Sequence, residues 1–506
     1  MPVRVFTVAL SGVEAIPVEV EVDLSFGLPG TTIVGLPDSA VKESRERVRS
    51  ALRNSGYDYP DRKITVNLAP ADLRKEGSGF DLPLAVGLLA AEGKIPREAL
   101  KEHLFLGELS LDGRLKGVRG ALPVALSARD LGFSRLVLPR ENAREASLAR
   151  DLEILAFEHL SQVVEYLHGR FRPDPPEPFE PPPPRYEVDL ADLVGQEQAR
   201  RALEVAAAGG HNLLLIGPPG AGKTMLARRL PTILPELSLE EALETSRIYS
   251  VAGLLSPERP FVTERPFRSP HHTISEVGLI GGGTQLRPGE ISLAHHGILF
   301  LDELPEFNRR ALEALREPLE EGRVTITRAT GSVTFPARFM LVCAMNPCRC
   351  GHYGDPRRAC RCSPQEIRRY RSKLSGPLLD RLDIHLEVPA VDHRELSAER
   401  RGEPSEAVRR RVEAARRRQE ERYGRTGYLN AHLGPREIQK WCQAEESARK
   451  LLERACERLG LSARAYHRVL KLARTIADLE GEEKISAAHV SEALQYRSLD
   501  RILLGG

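Results

Sequence analysis

Two short segments carry residue types spaced for phosphoryl chemistry. Gly217-Pro-Pro-Gly-Ala-Gly-Lys-Thr224 fits the pattern G-x-x-x-x-G-K-[ST]. In such a loop Gly217, Gly220 and Gly222, with Pro218, Pro219 and Ala221 between them, let backbone N–H groups wrap phosphate oxygens. Lys223 then reaches the terminal phosphates, Thr224 offers a hydroxyl to Mg2+, and Met225 continues into a helix whose amino terminus favours negative charge. Asp302 and Glu303 follow the apolar run Ile298 to Leu301. Asp302 would share Mg2+ with Thr224, and Glu303 would orient and polarise an attacking water, because phosphoryl transfer needs positioning and charge stabilisation above all. The plainer alternative for this acidic pair is a helix amino cap. The spacing names a phosphate ligand with Mg2+.

A second cluster has metal-ligating types. Cys348-Arg-Cys350 and Cys360-Arg-Cys362 place four thiols within 15 residues. In an intracellular chain this is better explained by tetrahedral Zn2+ than by disulfides, although C-x-C chelates less well than C-x-x-C. Reduced free thiols and redox control are the alternatives. Cys343, Cys442 and Cys456 lie in apolar or helical contexts and read as core residues. The pairs His271-His272 and His295-His296 read as loop hydrogen-bonding groups with one member of each turned away; a metal there needs a third ligand.

The elements that position these residues are legible in outline. Asn212 to Gly217, Gly297 to Leu301 and Phe339 to Ala344 are short apolar runs alternating with helical segments, the signature of a buried parallel sheet. From Ser405 onward the pattern is helical. Arg172 to Arg185, RPDPPEPFEPPPPR, holds neither helix nor ladder and is a linker. Before it, alternating strands (Val18 to Val22, Ile64 to Leu68) mix with helical stretches (Ser39 to Asn54, Leu82 to Glu92) in an α/β domain.

A chain of 506 residues accommodates about three domains. Lys+Arg 73 against Asp+Glu 71 leaves a net charge of only +2, so any basic surface must be local. Two runs qualify: Cys348 to Lys373, net +6, and Arg400 to Arg425, net +5, each either a polyanion surface or a solvated face. Gly322 to Arg338 reads as a β-hairpin, and Gly281-Gly282-Gly283 as a loop or flexible turn. Aromatic content of 5% argues for backbone contacts over base stacking in any nucleic-acid binding. The amino terminus lacks a signal design and no run approaches 18 apolar residues, which predicts a cytoplasmic protein with no membrane partner.

GPPGAGKT, ILFLDE, CAMNP and LLDRLD together resemble the AAA+ ATPase pattern, in the branch of magnesium-chelatase ATPase subunits and minichromosome-maintenance helicases. PHHTISEVGLIGGG, RPGEISLAHHGILFLDELPEF and SGPLLDRLDIHLEV resemble the ComM/YifB family more closely, over essentially the whole chain. The resemblance implies an α/β fold: an AAA+ P-loop core with a parallel sheet (186–400, with a Cys-rich insert at 348–362) and an all-helical lid (401–506). It implies that the phosphate ligand is ATP, that Asn346 is the sensor 1 residue, Arg381 the arginine finger given to a neighbouring subunit and Arg464 the sensor 2 arginine, with Arg468 the second choice. Gly195 and Gln196 match the turn that contacts adenine. It also implies a homo-oligomer, a hexamer, and a hairpin that grips DNA through Arg323, Arg328 and Thr330; a solvated edge hairpin is the alternative.

KEGSGFDLPLAVGLLAA and GELSLDGRLKGVRGALPVALSAR resemble the Lon-protease fold over 1–171. That family's serine would fall near Phe80 and Asp81 and its lysine near Ala121 to Pro123, so the domain reads as a degenerate scaffold; Ser78 has no activating partner in sequence. The leading function implied is an ATP-driven motor on forked, branched or single-stranded DNA, acting in branch migration during natural transformation and recombination, with recombination proteins as partners. The competing class is a chelatase-type remodeller, whose D-x-S-x-S metal-adhesion motif is only approached by Asp23-Leu-Ser25-Phe-Gly27.

Overall fold

The computed structural model describes residues 2–177, 179–283, 286–328, 331–355, 358–390, 402–459 and 461–497. Thr330 therefore lies outside the described residues. Period-two alternation in Val3–Ser11 and Glu14–Ser25 buries Val5, Val18, Val20 and Val22, and the two strands pair antiparallel from Val3↔Val22 to Ser11↔Glu14. They lie inside a mixed seven-stranded sheet, in the order Gly30–Val34, Lys63–Ala69, Glu14–Ser25, Val3–Ser11, His103–Phe105, Arg135–Pro139, Glu153–Phe157. The helix Ser39–Asn54 is capped by Asp38, whose Oδ1 accepts from the Val41 amide at 2.8 Å.

At the positions where a Lon-type serine would fall, Phe80 is buried and the Asp81 carboxylate accepts from Arg47 Nε and Nη2 at 2.8 and 3.0 Å and from the Leu109 amide at 3.1 Å. Burial still pushes the Asp81 carboxyl above its ordinary range. The Ser78 hydroxyl is bonded to Glu108. Ala121, Leu122 and Pro123 are buried in the helix Ala121–Ala128, which packs on the helix Leu239–Ala252 of the next unit. Ser250 closes that junction: its carbonyl accepts from the Gly120 amide at 3.1 Å and its hydroxyl donates to the buried Glu145 at 2.6 Å. Arg247 of the same helix donates to the Val13 carbonyl at 2.9 Å.

The second sheet has five parallel strands, ordered Phe267–Arg268, Ile298–Leu301, Met340–Met345, Leu213–Ile216, Ile384–Glu387. In chain order this is 2-3-4-1-5, so the first strand sits between the fourth and the fifth. Its fully apolar strands are covered on both faces, as parallel sheets require. One face packs on the helices Glu197–Gly209 and Lys223–Ile233, and the same apolar cluster runs on through Val408 and Val412 of Ser405–Tyr423 to Val469, Leu472 and Ile476 of Ala463–Glu480. The other face packs on the hairpin Arg323–Arg328 with Gly331–Pro336, whose inward residues are Val324, Ile326, Val333 and Phe335. Among the described residues no helix is long and apolar enough to cross a membrane.

Arg47→Ala leaves the Asp81 carboxylate buried without its cation. The expected cost is about 3 kcal/mol, read as a lower unfolding midpoint in denaturant; an unchanged midpoint removes the ion pair from the list of what holds this domain together.

Candidate active site

Strand register assembles the site. Ile216 pairs with Met345 and Leu301 with Cys343, so Gly217, Asp302 and Asn346 all emerge at the carboxyl edge of the sheet, where open α/β sheets bind ligands. The Gly217 amide donates to the Met345 carbonyl at 3.2 Å, and a Cβ at Gly217 would lie 2.2 Å from the Val388 carbonyl oxygen, so only glycine fits. Gly220 and Gly222 take left-handed φ of 78° and 85°, and Gly222 caps the helix Lys223–Ile233. Pro218, Pro219 and Ala221 complete the loop; Met225, in the first turn, is 47% exposed.

Lys223 is buried, and its ammonium donates to the carbonyls of Gly217 and Pro218 at 2.7 and 3.0 Å and to Asn346 Oδ1 at 3.1 Å. Burial lowers its pKa, and the charge of Asp302 partly offsets that. The Thr224 hydroxyl donates to Asp302 Oδ2 at 2.8 Å. A hydroxyl and a carboxylate in contact beside a buried ammonium suit Mg2+ and phosphate. Gln196, with φ +52° after Gly195 at +70°, hydrogen-bonds through Nε2 to the Ala221 carbonyl at 2.8 Å, tying the preceding turn to the loop.

Glu303 has φ +54°, its amide donates to Asp302 Oδ1 at 2.9 Å, and its carboxylate faces His272 Nδ1 at 3.1 Å. Sequence reasoning missed His272 as a partner; the signal was its place in PHHT, but which acid it meets depends on the fold. The His271 ring lies 4.1 Å from it, tilted by 34°, and bonds to Thr273 at 2.9 Å.

The two further arginines engage other groups. Arg381 bonds to Glu320 and donates to the Pro377 carbonyl at 2.6 Å, so its partner is neither Asp380 nor Asp383. Arg464 is 76% exposed at the start of Ala463–Glu480, with Asp380 at 3.6 Å, while Arg468 is 13% exposed between Asp380 and Asp383. On the hairpin, Arg323 stands at the base, 3.4 Å from Glu321, and Arg328 at the last pair before the tip, opposite Gly331. Gly281 and Gly282 pair with Pro288 and Arg287 and lie against Ile326 and Arg328, so the glycine segment and the hairpin form one surface.

Of the run Arg400 to Arg425, Arg400 and Arg401 lie outside the described residues, and several of the other arginines are used internally. Arg411 pairs with Glu204 and Glu403, Arg416 donates to the Ala207 carbonyl, and Arg418 and Arg422 bind Asp478. In the other run Arg349, Arg358, Arg361, Arg368 and Arg369 are exposed. Neither histidine of the second pair is turned away: His295 and His296 both meet Glu244, at 3.1 and 2.7 Å. His295 is pulled down to about 4 by burial, and its Nδ1 accepts from the Arg338 amide, so Nε2 carries the proton given to Glu244. Glu244 thus supplies the third ligand that a metal there would need, the ligand atoms of the three residues lying within 4.8 Å of one another. Cys343 and Cys442 are buried, and Cys456 packs against the helical core.

A parallel sheet in this order, with a phosphate loop after its first strand and an acidic pair after its third, defines a P-loop protein of the AAA+ class. The family model "Magnesium chelatase, subunit ChlI" matches residues 189–396, with "Subunit ChlI of Mg-chelatase" at 20–142 and "Magnesium chelatase, subunit ChlI C-terminal" at 402–497. "Uncharacterized protein YifB" of Salmonella typhimurium is 50% identical and that of Escherichia coli 49%, each across 99% of this chain and 98% of its own. "Competence protein ComM" of Haemophilus influenzae is 48% identical, again over 99% and 98%. The chain belongs to the ComM/YifB family of magnesium-chelatase-like AAA+ proteins.

His272→Ala is expected to lower turnover of ATP by roughly ten- to a hundredfold, the cost of misplacing a reacting group, with nucleotide affinity unchanged. Equal kcat in variant and parent would show that the imidazole has no part in placing Glu303.

Proposed function

We propose that the protein is an ATP-driven DNA motor, acting as a ComM-like helicase in branch migration during natural transformation and homologous recombination in the cytoplasm. The observation that carries the nucleotide half is the meeting of Lys223, the Thr224–Asp302 pair, Glu303 and Asn346 at one sheet edge. Lys223 and the loop amides would hold the phosphates, with Gly195 and Gln196 the turn that would contact the adenine. Thr224 and Asp302 would hold Mg2+, which would supply charge neutralisation at the phosphate oxygens. Glu303 orients and polarises the water, accepting its proton as the oxygen attacks phosphorus and the bond to the leaving phosphate oxygen breaks, and is itself placed by His272. Asn346 fixes both the Lys223 ammonium and the water.

Arg381 is the residue a neighbouring subunit receives, with Arg464 acting from the helical lid. Its present partner, Glu320, is 61% exposed while the Arg381 side chain is 16% exposed, so the guanidinium would have to leave this pair to meet a neighbour's phosphate. The working species is then a homo-oligomer, a hexameric ring. The domains are a degenerate Lon-like unit (1–171), a linker (172–185), the ATPase core (186–400) and the lid (401–506).

The DNA half is supported by the joint surface of Gly281, Gly282 and the hairpin, which presents Arg323 and Arg328, and by the exposed arginines Arg349, Arg358, Arg361, Arg368 and Arg369. The polar hydroxyls of Thr325, Thr327, Ser332 and Thr334 line the outward face, suited to phosphate contacts without sequence readout.

Glu303→Gln should bind ATP and assemble yet not turn over. Arg381→Ala should keep nucleotide binding and lose about 10³- to 10⁵-fold in hydrolysis; normal turnover removes the finger assignment. Forked DNA should raise the hydrolysis rate and be unwound, with affinity falling steeply as salt rises. If the assembled protein neither binds DNA nor changes its rate, a chelatase-type protein remodeller becomes the better reading.

A further inference from the structure

Cys348, Cys350, Cys360 and Cys362 take no part in the nucleotide chemistry, yet they are packed against it. Their four sulfurs lie within 4.8 Å of one another. Cys348 and Cys350 are 3.4 Å apart, Cys350 and Cys360 3.6 Å, Cys348 and Cys360 3.7 Å. A disulfide requires about 2.05 Å. Four thiolates at about 2.3 Å from Zn2+ stand about 3.8 Å apart at the tetrahedral angle. The observed spacing belongs to the second case.

The segment is fastened at both ends. After the last cysteine, Ser363 and Glu366 form a capping box that starts the helix Pro364–Arg371. Arg371, at the end of that helix, donates to the Pro347 carbonyl at 3.1 and 3.2 Å, and its guanidinium lies over the Tyr353 ring at 5.1 Å. The turn Cys348 to Gly351, closed by a 3.0 Å bond from the Gly351 amide to the Cys348 carbonyl, rests on the phosphate loop. Gly351 has φ +85°, and a Cβ there would lie 2.6 Å from Pro219 Cδ and 3.9 Å from Asn346 Cγ.

We infer that the four cysteines bind one Zn2+ and that the metal clamps the Cys348 to Gly351 turn against Pro219 and Asn346, so that the shape of the phosphate loop depends on zinc. The clamp rests on the reading that this loop holds a nucleotide; the zinc site does not.

The test uses the full chain, purified without chelators or metal-binding tags. Metal content is measured by plasma mass spectrometry, and a fluorescent ATP analogue is titrated before and after zinc removal under reducing conditions. About one zinc per chain is expected, lost in Cys360→Ser and in Cys362→Ser. Zinc-free protein should bind the analogue about tenfold more weakly and recover when Zn2+ is returned. Gly351→Ala keeps all four thiols and tests the clamp independently of the cysteine variants: it should retain zinc and lose affinity by a similar factor. Protein that holds no zinc and takes up none when Zn2+ is added overturns the site. Zinc-loaded and zinc-free protein with equal affinity for the analogue overturns the clamp. A zinc-loaded chain that does not bind the analogue at all overturns the nucleotide reading, and the clamp with it, while leaving the zinc site standing.

Discussion

The Lys223 ammonium is the charge around which the site is arranged. It is 8% exposed and is held by neutral oxygens of Gly217, Pro218 and Asn346, with the charge of Asp302 acting on it through space. A cation taken out of water and held by neutral groups is costly, and an anion delivered to it recovers part of that cost. The sheet register serves this arrangement. It brings the end of the first strand beside the end of the fourth, so that Asn346 meets Lys223, and the missing Cβ at Gly217 lets the loop pass the Val388 carbonyl.

The same helix that receives the amino-terminal domain also reaches toward the acidic pair. Leu239–Ala252 holds Gly120 and Glu145 through Ser250 at one end, while Glu241 and Glu244 near its start engage Arg265, His295 and His296. His295 and His296 immediately precede the strand Ile298–Leu301 that ends at Asp302 and Glu303. A second contact runs from the turn at Gly12, whose Cβ would lie 2.9 Å from the Thr334 carbonyl, to the hairpin. The amino-terminal segment therefore touches both the helix that supports the acidic pair and the middle of the basic hairpin, at Val333 and Thr334.

Much of this was legible in the residues. The fully apolar strands, the glycine spacing before Lys223 and the acids after Leu301 pointed to a parallel sheet with ligands at its carboxyl edge, because burial on both faces and a tight phosphate turn each demand particular residue types at short range. The hairpin was likewise readable from alternation. The fate of charged residues was not. The arginines of Ser405–Tyr423 looked like a polyanion surface or a solvated face, and Arg411, Arg416, Arg418 and Arg422 are instead spent on carbonyls and acids of distant segments. A charge pattern records how many cations a segment has, not which acids the fold brings to them.

The sequence by itself determined the phosphate loop, the acidic pair, the sheet class and the family, since each rests on residue types at fixed short spacings whose backbone consequences are local. Only the tertiary structure decided that His272 meets Glu303, that Arg381 meets Glu320, that His295 and His296 share Glu244, and that Gly351 rests on Pro219. Those pairings join residues from 31 to more than 130 positions apart or turn on side-chain direction. They follow from strand order and packing, which no local spacing encodes.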